Sequence, residues 1–175
     1  MNLNKLKAYE QVKHLMKTGD CIQWKSKGAM VGWLIRFFSH GKFNHSSLVI
    51  ALREYGNLKN RRFILEAVGE IELRILSKRL EEYNGEVWWY PLKDEYNECR
   101  DKIGEWALLQ IGVDYDYGGV IRQVVGRISA DVKKLWCSEF CFFAWVFGGI
   151  PLKGKAPRPT DIPKYNIFKE PVKIL

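Results

Sequence analysis

The sequence predicts one α+β domain, an antiparallel sheet packed against a buried helix, and three observations carry that prediction. Short runs rich in β-branched and aromatic residues recur between turn residues, at 44–52, 62–67, 71–75 and 86–92. Residues 135–149 form a stretch that is apolar on nearly every face from Phe140 onward, the pattern of a helix sunk in a core. The length of 175 residues, with 47% hydrophobic and 14% aromatic content, suits a sizeable core and excludes a disordered chain. No internal repeat and no linker composition divides the chain, so a single domain over residues 1–175 is expected.

Taken in order, residues 3–17 carry Leu6, Tyr9, Val12, Leu15 and Met16 on one side of a charged amphipathic helix, ended by Thr18-Gly19-Asp20. Residues 21–24 read as a short strand. Residues 28–38 predict a strongly apolar second helix with Arg36 on its polar side, closing at Ser39-His40-Gly41. The strand at 44–52 begins polar and becomes apolar, and across a turn at 57–60 it is expected to pair with 62–67 as a hairpin. Residues 71–75 alternate as a half-buried strand, 77–83 make a short helix, and 86–92 are another strand. A helix over 95–111 is stopped by Gly112, a loop follows at 113–119, and 120–132 fit no single pattern. The helix that opens at Cys137 closes at Gly148-Gly149, a left-handed cap, with Pro151 preventing continuation. Beyond it Pro151, Pro157, Pro159 and Pro163 predict an extended, irregular tail.

The formal charge of +8 points to anionic partners such as wall polymer, acidic headgroups or nucleic acid, without choosing among them. The cations are dispersed, with only short clusters such as 59–62 and Lys133-Lys134, so a solvated basic surface is the ordinary explanation. Aromatic residues fall in apolar segments and are not interleaved with Lys and Arg as stacking platforms require, which ranks specific nucleic-acid binding last. The four cysteines form no CxxC pair and no spaced metal set, so neither metal nor cofactor is expected. The first residues are basic but lead into no apolar core, unlike a secretory signal, and the longest apolar run is too short to span a bilayer. A cytoplasmic protein with free thiols is the expectation.

A cysteine in the first turn of a helix faces the positive end of the dipole and unpaired N–H groups, both of which favour thiolate over thiol. Alone, Cys137 would read as one more small buried residue. Cysteine hydrolysis also needs a base, a group orienting that base, and donors for the oxyanion. Of the three histidines, His14 lies in a charged helix and His40 at a helix end, whereas His45 begins a strand that runs into the core and is the best base. Glu66 is a carboxylate embedded in an apolar strand; it faces solvent or it is deliberately paired.

The order of the motifs adds a further constraint. Gly19-Asp20 and His45-Ser46-Ser47-Leu48-Val49-Ile50 come early, then Leu65-Glu66-Ala67. Tyr115-Asp116-Tyr117-Gly118-Gly119, Trp136-Cys137-Ser138-Glu139-Phe140 and Pro159-Thr160-Asp161-Ile162 come late. Over roughly residues 19–165 this resembles the NlpC-type superfamily of papain-like cell-wall hydrolases, in its circularly permuted YiiX-like branch. The resemblance implies a papain-like (permuted NlpC-type) fold with Cys137 as nucleophile, His45 as base, Glu66 as the orienting carboxylate and Tyr115 at the oxyanion or substrate. On physical grounds the Cys137 backbone N–H is a second oxyanion donor. Gly19-Asp20 is read as shaping a turn, Glu139 as favouring the helix dipole, and Tyr117 as packing. One departure bears on the substrate pocket: the strand after His45 reads Ser46-Ser47-Leu48 where the family has Val-Gly-Ile.

The first functional expectation is therefore a cysteine amidase or peptidase acting on peptidoglycan stem peptides or similar amides. Without export, such a chain would meet the wall after lysis, through a holin, as part of a phage particle, or on imported fragments. The alternative is a lipid acyl hydrolase or acyltransferase, since relatives of lecithin–retinol acyltransferase share the permuted order. Those enzymes place a second histidine where Glu66 stands. Expected partners are thus a peptide or a lipid amide or ester as substrate, with an anionic wall or membrane surface nearby.

Overall fold

The structure, a computed structural model, describes residues 5–26, 42–68, 70–112 and 137–175. Six strands form one sheet: β1 (Cys21–Ser26), β2 (His45–Ile50), β3 (Phe63–Val68), β4 (Glu70–Ile75), β5 (Gly85–Tyr90) and β6 (Val172–Lys173). Their order is β4-β3-β2-β1-β5-β6, and every neighbouring pair is antiparallel. Among the described residues four α-helices accompany it: α1 (Lys7–Val12), α2 (Leu76–Glu82), α3 (Arg100–Leu108) and α4 (Cys137–Phe147). The α+β class holds.

The strands alternate because both faces of the sheet are covered. On one face Cys21, Leu48, Ile50 and Leu65 meet Phe140, Cys141, Ala144 and Trp145 of α4 and Ile103 and Ala107 of α3. On the other, Ile22, Trp24, Val49 and Ile64 meet Leu6, Tyr9, Met16, Leu76 and Leu80. The predicted hairpin is β2–β3, with Leu48 opposite Leu65. By that register Ser47 lies across from Glu66, and His45, Ser47 and Glu66 share the parity of the second face.

Several elements differ from expectation for identifiable reasons. The N-terminal helix is α1 followed by a 3₁₀ turn at Lys13–Leu15, and Leu15, expected on the apolar side, is 53% exposed. The helix expected over 95–111 begins as a 3₁₀ segment, Asp94–Cys99, and is α-helical only over Arg100–Leu108. The tail is less irregular than its prolines imply: Pro159–Lys164 is a 3₁₀ turn, and after Pro171 the chain can donate again and adds β6 beside β5. The helix expected at 28–38, the loop at 113–119 and the segment 120–132 lie outside the described residues.

Two features lock α4 in place. Gly149 has φ +101° and makes the left-handed cap, whereas Gly148 serves packing: a Cβ there would lie 2.2 Å from Ile103 Cγ1. The Trp145 indole N–H donates to the Gly19 carbonyl at 2.9 Å, tying the helix to the turn before β1. That turn is organised by buried Asp20, which accepts from Lys17 N, Trp89 Nε1, Leu92 N and Arg100 Nη1 at 2.8–3.0 Å. Asp20 is a structural hub, in line with the reading that Gly19-Asp20 shapes a turn.

Candidate active site

Cys137 opens α4 and is 1% exposed. The Ser138 hydroxyl donates to the Pro157 carbonyl at 2.6 Å, so the tail pins the helix start. Beneath that helix lies a buried polar line in which Ser46 Oγ donates to Gln23 Oε1 at 3.1 Å and Gln23 Nε2 donates to Cys21 Sγ at 3.3 Å. Burial first, then Cys21 and Cys137, push the Cys141 thiol well above its ordinary range. Cys141 is thus a protonated, structural thiol.

His45 begins β2, directly opposite Trp24 of β1, and is 7% exposed. Its Nε2 is 3.5 Å from Glu66 Oε1, a charge contact longer than a formed hydrogen bond. Neither ring nitrogen meets hydrogen-bond geometry, although both are buried. Burial opposes charge on this imidazole, but the neighbouring Cys137 and then Glu66 outweigh it and raise His45 to about 10. Cys137 and His45 are therefore electrostatic neighbours, where the first turn of α4 meets the first residue of β2.

Glu66 is 0% exposed, so its sequence ambiguity resolves in favour of pairing. Burial would raise its carboxyl, but the neighbouring His45, then the charges of Arg79 and Arg74, hold it at about 2. Its Oε1 accepts from Ser47 Oγ at 3.2 Å, and Ser47 in turn accepts from Trp24 Nε1 at 2.6 Å. The Arg79 Nε reaches Oε1 at 3.4 Å and Oε2 at 3.3 Å. Of the sequence-identified residues, His45 and Glu66 are in contact, and Cys137 is the neighbour that most raises the imidazole.

Others are not part of this cluster. His14 is exposed, while His40, Tyr115 and Tyr117 lie outside the described residues. Glu139 is half-buried in the first turn of α4, and Asp161 pairs with Arg158 and Lys164 on the surface. Sequence reasoning missed Arg79, Ser47 and Trp24. The Ser46-Ser47 departure was the available signal for Ser47; nothing in Leu-Ser-Lys-Arg-Leu-Glu-Glu distinguishes Arg79 from a solvated cation. Among the described residues no group of three or more His, Cys, Asp or Glu could hold a metal ion. None of their helices is long and apolar enough to cross a membrane.

No family model matches the chain, and no curated protein matches it. Among solved structures, the chain is similar to the metalloprotein YiiX of Escherichia coli O157:H7, at 19% identity and a TM-score of 0.49. The match covers 74% of this chain and 64% of that one.

Proposed function

We propose that the chain is a cysteine hydrolase of permuted papain-like architecture that cleaves an amide bond through a Cys137 acyl-enzyme. The single observation that supports it most is the juxtaposition of a cysteine at the start of a buried helix with an imidazole lifted to about 10, backed by a fully buried carboxylate. The order of motifs along the sequence supports the same reading.

In this mechanism Cys137 gives its proton to His45, and the sulfur attacks the amide carbonyl. Because Nε2 faces Glu66, Nδ1 is the nitrogen that serves the thiol. The carbonyl oxygen gains negative charge, which the Cys137 backbone N–H and Tyr115 stabilise. Collapse of the intermediate breaks the C–N bond as His45 protonates the leaving amine. Water then gives a proton to His45 and attacks the thioester, releasing the acid and regenerating the thiol. Glu66 holds the ring in orientation and stabilises the imidazolium.

The substrate class proposed is peptidoglycan stem peptide or a related amide. A lipid acyl hydrolase or acyltransferase is the competing chemistry, and a carboxylate at position 66 in place of a second histidine favours the amidase. The test is product analysis on stem-peptide fragments and on phospholipid vesicles, with wild type and Cys137→Ala. Amide cleavage abolished by the substitution supports the proposal. Fatty-acid release without peptide cleavage overturns the substrate class, and activity that survives Cys137→Ala overturns the mechanism.

A further inference from the structure

A carboxylate with no solvent exposure, in the interior of a sheet, is tolerated only where cations and donors compensate for lost water. The groups facing Glu66 come from every element packed against it. From β2 come Ser47 and His45; from β4 come Glu72, directly opposite, and Arg74; from α2 comes Arg79; Tyr83 follows that helix. Arg74 is already engaged, with Nε and Nη2 both 2.6 Å from Glu72 Oε2. Ser47 is neutral. Besides the His45 imidazole at 3.5 Å, that leaves Arg79 as the cation not engaged elsewhere, and its Nε straddles both Glu66 oxygens.

The Arg79 guanidinium is also held in place. Its carbon lies 5.2 Å from the Trp24 ring and 5.5 Å from the Tyr83 ring, and those rings meet edge-on at 4.8 Å. Trp24 is the residue opposite His45, and it donates to the same Ser47 that donates to Glu66. One aromatic ring thus braces the cation and, through Ser47, the carboxylate. At 22% exposure Arg79 retains some water, which lets it remain charged without the full cost of burial.

We propose that Arg79 is a positioning residue for the Cys137 site, keeping Glu66 ionised and its carboxylate turned toward His45. The proposal rests on the reading of Cys137 and His45 as a working pair. If the proton on His45 Nε2 moves to Glu66 Oε1, both groups become neutral and the imidazolium that stabilises the thiolate is lost. A fixed cation against both carboxylate oxygens makes that transfer unfavourable, so the proton stays on the ring. Arg79 acts through Glu66 and touches no reacting atom.

The experiment uses the full chain with carbon-13 glutamate carboxyls, in wild type, Arg79→Met, Arg79→Gln and Arg79→Lys. Glu66 is titrated by NMR over about pH 1 to 6, and Cys137 alkylation by iodoacetamide is followed by mass spectrometry over about pH 3 to 8. The neutral variants are expected to raise the Glu66 midpoint by at least about one unit, a tenfold change in proton affinity, and to slow Cys137 alkylation at the acid end. Arg79→Lys restores the midpoint to within about 0.3 unit. A midpoint unmoved in the neutral variants overturns the proposal, whatever happens to stability. Arg79→Gln retains a donor for Glu66 and decides the matter if Arg79→Met is too unstable. Alkylation of Cys137 that is indifferent to His45→Ala would instead defeat the hydrolase reading, and the Glu66 midpoint would still report on Arg79.

Discussion

Glu66→Gln is the sharpest perturbation of the buried cluster, because it keeps shape and one acceptor while removing the charge. In the native protein this carboxylate, with no exposure, contacts Ser47 at 3.2 Å, Arg79 at 3.3 Å and His45 at 3.5 Å. Removing one partner from a buried ionic cluster costs about 3–5 kcal/mol. Arg79 is 22% exposed and recovers some hydration, so the lower end, about 3 kcal/mol, is expected here. The loss has a defined pH window. Glu66 is lowered from 4.5 to about 2, so its contribution is present above about pH 4.5 and disappears as pH falls through about 2. His45 is raised from 6.5 to about 10, so its contribution is full below about 6.5 and disappears as pH rises through about 10. The difference between wild type and variant is therefore largest between about pH 4.5 and 6.5 and shrinks on either side. Urea unfolding followed by the fluorescence of the seven tryptophans, at several pH values, measures it. A loss below about 1 kcal/mol at pH 5.5, or one independent of pH, would refute the coupling of His45 with Glu66.

Other predictions are more local. Gly148→Ala places a Cβ 2.2 Å from Ile103 Cγ1 and is expected to cost about 1–3 kcal/mol in urea unfolding as α3 and α4 are pushed apart; an unchanged midpoint contradicts that packing. Arg100→Met leaves buried Asp20 without its cation at 2.8 Å and is expected to cost about 3 kcal/mol, yet leave the alkylation rate of Cys137 unchanged at temperatures where the variant is folded. Ser47→Ala strands the Trp24 indole N–H and removes a donor to Glu66, costing about 1–3 kcal/mol; a neutral result would mean that water replaces the hydroxyl.

The hairpin pairing of β2 with β3 was legible in the sequence because apolar strands flank a polar turn, and the buried helix was legible because its apolar run ends at Gly149. The contact of His45 with Glu66 was suggested by motif order, but the register that sets Ser47 against Glu66 is a property of pairing and has no local signature. Arg79 was invisible for a similar reason: α2 presents it to the sheet, and only the folded arrangement distinguishes it from neighbouring Lys78, whose side chain is 71% exposed. The edge strand β6 was hidden by the prolines before it, since pairing begins only after the last of them, Pro171.

The central claim, that Cys137 and His45 act as a pair, is tested most directly by site-resolved iodoacetamide alkylation of wild type and His45→Ala. Exposure alone ranks Cys99 first, because Cys137 is as buried as Cys21 and Cys141. Cys137 is expected to react ahead of all three at neutral pH and to lose that lead in His45→Ala. Cys137 reacting no faster than Cys21 and Cys141, or equally fast with and without His45, would contradict it.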